Sequence, residues 1–190
     1  MASALRPRRY PALALLLSLA LLAGCAQTTV VPESADSSAS SVDNTVTTVL
    51  LVRHAEKAAN QGHDPELTAT GHQRAARLAS MLADLSPDII FATQFKRTQQ
   101  TVAPLAKSAG LDVTTVQAAD IDSLAQRIRE QHAGDTVVIA AHSNTVPAII
   151  EALGSEPVPA IPESEYTNLY IVSLPATGIG KTTRLHFPAQ

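Results

Sequence analysis

Two histidines and two arginines are placed where the chain could use them together. Arg53 and His54 follow directly on an apolar run, 46–52, and His142 follows directly on another, 136–141. Arg97 lies in Thr93-Gln94-Phe95-Lys96-Arg97-Thr98, just after a third apolar stretch. Two guanidinium groups and two imidazoles at one place would bind a dianion, most naturally a phosphoryl group, because the planar guanidinium matches its oxygens. A neutral imidazole is also a nucleophile near neutral pH. Covalent catalysis through His54 would divide one difficult displacement into two easier ones. Arg53, Arg97 and a protonated His142 would stabilise charge on the transferring oxygens.

That chemistry requires elements that bring the four side chains to one rim. The run 46–52 reads as a strand, and 68–85 carries Ala75, Leu78, Leu82 and Leu85 at helical spacing, with Thr68 or Thr70 as N-cap. A short strand at 88–92 follows Pro87. Residues 95–109 are helical, with Pro104 expected to kink the helix or begin a new first turn. A weak strand at 113–116, a helix at 122–131, the strand 136–141 and a helix at 146–153 come next. Two strands, 166–174 and 181–187, close the chain across a Gly-containing turn. Alternating strands and helices predict a three-layer α/β/α sandwich with a largely parallel central sheet. The apolar strands ending at Val52 and Ala141 should be central. A ligand crevice in such sheets lies beyond the carboxyl ends of the strands, where His54 and His142 would meet.

Four stretches resemble the histidine phosphatase superfamily, which includes the phosphoglycerate mutases. Arg53-His54-Ala55-Glu56 is similar to its Arg-His-Gly/Ala-Glu signature, and Leu67-Thr68-Ala69-Thr70-Gly71 to its Leu-Thr-x-x-Gly. Residues 91–101, FATQFKRTQQT, resemble the segment with its second arginine, and Ala141-His142-Ser143-Asn144 the stretch with its second histidine. The matches come in the family's order. The resemblance implies a phosphoglycerate mutase-like fold, His54 as the phosphorylated nucleophile, and a phosphate pocket of Arg53, Arg97 and His142. It places Asn60 where the mutases have a phosphate-pocket Asn. Many members carry an acid between the second arginine and the second histidine that protonates the leaving group. Asp120, Asp122 and Glu130 lie in that region, and Asp120 is preferred because it precedes a helix and could face the rim. Asp120 and Asp122 also suit a helix start.

His63 and Asp64 could join His54 and His142 as metal ligands, which would make a metallohydrolase. Two arginines would repel a cation there, so no metal or other cofactor is expected. The remaining histidines read as surface or loop residues. The Pro-rich run 154–166 reads as a connection that could also wall the pocket and select the leaving group, with Glu156, Glu163 and Glu165 solvated.

The 190-residue chain suggests one domain with appendages. Its apolar content of 45% leaves ample material for a core of Ala, Val, Leu and Ile. A net charge of −3 gives no basic footprint for nucleic acid. Residues 1–24 read as a secretory signal: Arg6, Arg8 and Arg9, a short apolar run, then small residues. Leu22-Ala23-Gly24-Cys25 resembles the bacterial lipobox, after which Cys25 would be lipidated and become the mature N-terminus. By the same resemblance, Ala26 points to the outer membrane. Residues 25–45, with the lipidated Cys25 and a Ser/Thr-rich stretch, form a tether, and 46–190 the catalytic domain. The expectation is a phosphomonoester hydrolase anchored on the periplasmic side of a bacterial membrane. Its partner would be a small phosphorylated substrate or a phosphorylated envelope component. The alternatives are a silent anion-binding lipoprotein, a phosphomutase or a metallohydrolase.

Overall fold

Apolar side chains on both faces of a strand require cover on both sides, and the middle of this sheet is built from such strands. The structure, a computed structural model, describes residues 45–59 and 62–188. In chain order its elements are β1 (Val46–Arg53), α1 (Ala69–Met81), β2 (Ile89–Thr93), α2 (Lys96–Ala109) and β3 (Val113–Val116). They continue with α3 (Ile121–Gln131), β4 (Thr136–Ala141), α4 (Thr145–Ala152), β5 (Asn168–Pro175) and β6 (Lys181–His186). The sheet order is β3-β2-β4-β1-β5-β6. The first four strands in that order run parallel, and β5 and β6 add an antiparallel edge.

Alternate residues of the central strands supply two cores. Val49 and Leu51 of β1, with Val137 and Ile139 of β4, pack against Leu124 and Ile128 of α3 and Ile149 and Ile150 of α4. Leu50 and Val52, with Val138 and Ala140, pack on the opposite face against Leu78 of α1 and Val102 and Leu105 of α2. The result is the expected three-layer sandwich, in which a one-residue slip of β1 would exchange its two apolar faces. Register is therefore strongly held: Leu50 pairs with Val138 and Arg53 with Ala141.

Element boundaries depart from the sequence expectation at two places. α1 ends at Met81, and Leu82 and Leu85 form the turn that follows. The chain must reverse there to enter β2, and Ser86 takes a left-handed backbone conformation (φ 49°) before Pro87. Pro104 starts no new helix: α2 runs through it from Lys96 to Ala109. Leu105 and Ala106, just past it, are buried, and packing of that face outweighs one missing backbone donor.

Thr68 is the N-cap of α1, its Oγ1 accepting from Gly71 N at 3.1 Å. A Cβ on Gly71 would lie 2.4 Å from the Glu56 carbonyl oxygen. Only glycine lets this helix start come so close to the segment that leaves β1. Glu56 is itself held by Arg74 of α1, whose Nη2 donates to Oε1 at 2.6 Å. No helix among the described residues is long and apolar enough to cross a membrane.

Candidate active site

Parallel pairing of β1 and β4 decides where the histidines go. Because Arg53 is opposite Ala141, the next residue of each strand is a histidine at the same rim. His54 N donates to Ala141 O at 2.9 Å, and the two ring centroids lie 5.5 Å apart. Arg97, the second residue of α2, reaches the same place from the helix that follows β2. Its Nη2 lies 3.4 Å from His142 Nδ1. Its guanidinium stacks on Phe95, and Phe95 in turn meets His142 edge-on with centroids 5.2 Å apart. A cavity of about 160 Å³ opens here, lined by His54, Lys57, Arg97, His142, Ser143, Asn144 and Glu163.

Hydrogen bonds set the proton on each imidazole. His54 Nδ1 lies 2.8 Å from Ala55 O, and a carbonyl only accepts, so Nδ1 carries the proton. Its Nε2 is left with a lone pair. Arg97 only donates, so His142 Nδ1 accepts and its Nε2–H donates to Thr93 Oγ1 at 3.0 Å. Thr93 passes the chain to Thr98 Oγ1 at 2.8 Å, and Thr98 donates to Phe95 O at 2.7 Å. Burial is the largest cause lowering both imidazole pKa values to about 4, with the neighbouring arginines adding to it. Both rings are thus neutral at neutral pH.

Arg53 takes a different place from the one expected. It is 2% exposed and does not line the cavity. Its Nη1 lies within 3.0 Å of the carbonyl oxygens of Pro162, Glu163 and Glu165, and its Nη2 donates to Glu163 Oε2 at 2.8 Å. Its guanidinium also stacks on the Tyr166 ring, 4.3 Å from the centroid. Arg53 therefore clamps the Pro-rich segment, and that segment supplies a cavity wall. Glu163, expected to be solvated only, accepts from Ser143 Oγ at 2.5 Å as well.

Asp120 is not brought to the cavity. It is the exposed N-cap of α3, beside Thr115, Val116 and Gln117 in a separate depression. β3, which it follows, is the edge strand, with β2 between it and β4. Asn60 and Cys25 lie outside the described residues, as do the signal-like segment and most of the tether. Asp64 pairs with Arg97 at 3.9 Å and accepts from Lys96 N at 2.9 Å. His63 lies against Phe95. Among the described residues no three His, Cys, Asp or Glu side chains are grouped to hold a metal ion. Sequence reasoning missed Thr93, Phe95 and Tyr166. The first two stand in the stretch quoted for Arg97, where a polar residue closing a buried strand was the available signal.

Residues 49–120 match the family profile of the histidine phosphatase superfamily (branch 1). The match contains Arg53, His54 and Arg97 and stops before His142. A mycobacterial glucosyl-3-phosphoglycerate phosphatase is similar in fold, with a TM-score of 0.58 at 18% identity, over 76% of this chain and 100% of that one. The protein histidine phosphatase SixA, solved with tungstate, has a TM-score of 0.58 at 18% identity, over 73% and 96%. A comparison with curated protein sequences finds no match. Residues 49–120 are thus similar to the histidine phosphatase superfamily, and the two solved phosphatases share the fold of this domain.

Proposed function

We propose that the domain hydrolyses phosphate monoesters through a phosphohistidine on His54. The observation that carries this reading is the paired placement of His54 and His142, with the His54 proton held on Nδ1 by Ala55 O. His54 Nε2 attacks phosphorus as the bond to the ester oxygen breaks, and the freed alcohol takes its proton from solvent. Water then attacks the phosphoryl group, the P–N bond breaks, and phosphate leaves with His54 neutral again. Arg97 lies at the cavity wall, and α2 begins one residue before it, so charge on the oxygens meets a guanidinium and a helix N-terminus. A bound dianion would raise the His142 pKa and draw a second positive charge to the site.

The expected phosphate role of Arg53 becomes a supporting one, since its Nη1 and Nη2 hold the Pro-rich wall, while its buried Nε has no hydrogen-bond partner. Asp120 lines a different depression, so the proton of the leaving alcohol is assigned to solvent in this reading. We also propose that the protein works on the periplasmic side of a bacterial membrane, tethered through a lipidated Cys25. The support is the signal-like start and the lipobox-like Leu22-Ala23-Gly24-Cys25. There a small phosphorylated substrate or a phosphorylated envelope component would reach the cavity.

The test is hydrolysis of an aryl phosphate by the purified protein with EDTA present. Turnover that His54→Ala abolishes supports the reading. Phosphate binding without turnover would instead make the protein an anion-binding module, and loss of activity to EDTA would make it a metallohydrolase.

A further inference from the structure

One acidic side chain stands among the cations of the cavity wall. Glu163 shares that lining with Lys57, Arg97, two imidazoles, Ser143 and Asn144. Its carboxylate is 77% exposed, yet it is held on both sides. Oε2 accepts from Arg53 Nη2 at 2.8 Å, and Oε1 accepts from Ser143 Oγ at 2.5 Å. Its carbonyl is anchored too, accepting from Arg53 Nη1 at 2.8 Å. The chain has thus fixed a negative charge at the mouth of a site that must admit an anion.

The hydrogen bond from Ser143 and the charges of Arg53 and Lys57 hold the Glu163 carboxyl below the usual carboxylate range, against an opposing push from burial. A carboxyl so held keeps its charge at neutral pH and is a poor proton donor. Its effect must therefore be electrostatic. A phosphoryl group attacked by His54 would have its leaving oxygen in line with Nε2, and a leaving group occupying the rest of this small cavity would share it with the Glu163 carboxylate in its lining. Lys57 offers the opposite charge, but on a long, flexible and exposed side chain.

We propose that Glu163 selects the leaving group by charge, favouring phosphomonoesters whose alcohol portion is cationic or uncharged and discriminating against those bearing a carboxylate or a second phosphate. The inference rests on the hydrolase reading above and names a substrate class for it.

Three esters of matched size test it: ethyl phosphate, 2-aminoethyl phosphate and carboxymethyl phosphate, whose leaving groups differ by single charges at neutral pH. With a charge separation of several ångströms at an exposed site, kcat/KM should fall roughly fivefold per step from aminoethyl to ethyl to carboxymethyl. In Glu163→Gln the three values should draw together. Lys57→Met, which leaves the bonds to Arg53 and Ser143 in place, should steepen the ranking. An unchanged ranking in Glu163→Gln, or a preference for the carboxymethyl ester in the native protein, would overturn the proposal. Failure of the native protein to cleave these esters and an aryl phosphate would instead overturn the hydrolase reading. The charge preference would then be read calorimetrically from binding of the same esters. Equal affinities in the native protein and Glu163→Gln would sink the role of Glu163.

Discussion

Acidification should unfold this protein through its two site histidines, and the size of the effect follows from their burial. His54 is 3% exposed and His142 8%, and both have folded pKa values of about 4 against an unfolded value of 6.5. Depressed imidazoles contribute their stability above pH 6.5, where neither state is protonated. As pH falls from 6.5 towards 4 the unfolded chain takes up protons that the folded protein refuses, and stability drops; below about 4 the loss levels off. pH 5.0 lies about 1.5 units below the unfolded pKa, so each histidine costs about 2 kcal/mol and the pair about 4 kcal/mol relative to pH 7.5. The lowered carboxylates Glu56, Glu163 and Glu165 lose their contribution only below about pH 4.5, outside this window. Urea unfolding at the two pH values is the assay. With a slope of about 2 kcal/mol per molar, the native midpoint should fall by about 2 M. His142→Gln, which keeps a donor for Thr93, should lose about half of that pH sensitivity. An equal midpoint shift in both proteins would place the proton uptake elsewhere and refute the burial argument.

Gly71→Ala should lower stability by about 1–3 kcal/mol, since the new Cβ must displace the Glu56 carbonyl from 2.4 Å. Thermal melting would read this as a fall of roughly 3–10 °C, and an unchanged melting temperature would contradict the close approach. Arg53→Ala removes the donors to the carbonyls of Pro162, Glu163 and Glu165 and to the exposed Glu163 carboxylate, at a cost of about 3 kcal/mol. Limited proteolysis should then cut within residues 157–167. Loss of phosphate affinity without new cleavage would return Arg53 to a direct ligand role.

The reading from sequence succeeded where periodicity and burial act locally. Two long apolar runs could only be central strands, and each ended on histidine, so the parallel pairing of Arg53 with Ala141 was enough to join the rings. It failed where contacts join distant segments of irregular chain. Glu163 meets Arg53 across 110 residues and lies in a Pro-rich segment with no helix or strand period, so nothing local marked it as more than solvated. Arg53 was legible as a rim residue, but its commitment to three carbonyls depends on how that segment folds back. Asp120 was chosen by its place in the chain order. The sheet puts β3 at the edge, so a residue that follows a strand at the right rim still stands too far along it.

The most direct measurement is capture of the covalent intermediate. Enzyme mixed with an aryl phosphate, quenched in alkali within one turnover and digested for mass spectrometry, should carry a phosphoryl group on the His54 peptide. His54→Ala should carry none. Steady hydrolysis with no phosphoryl group on His54, or an undiminished rate in His54→Ala, would contradict the account.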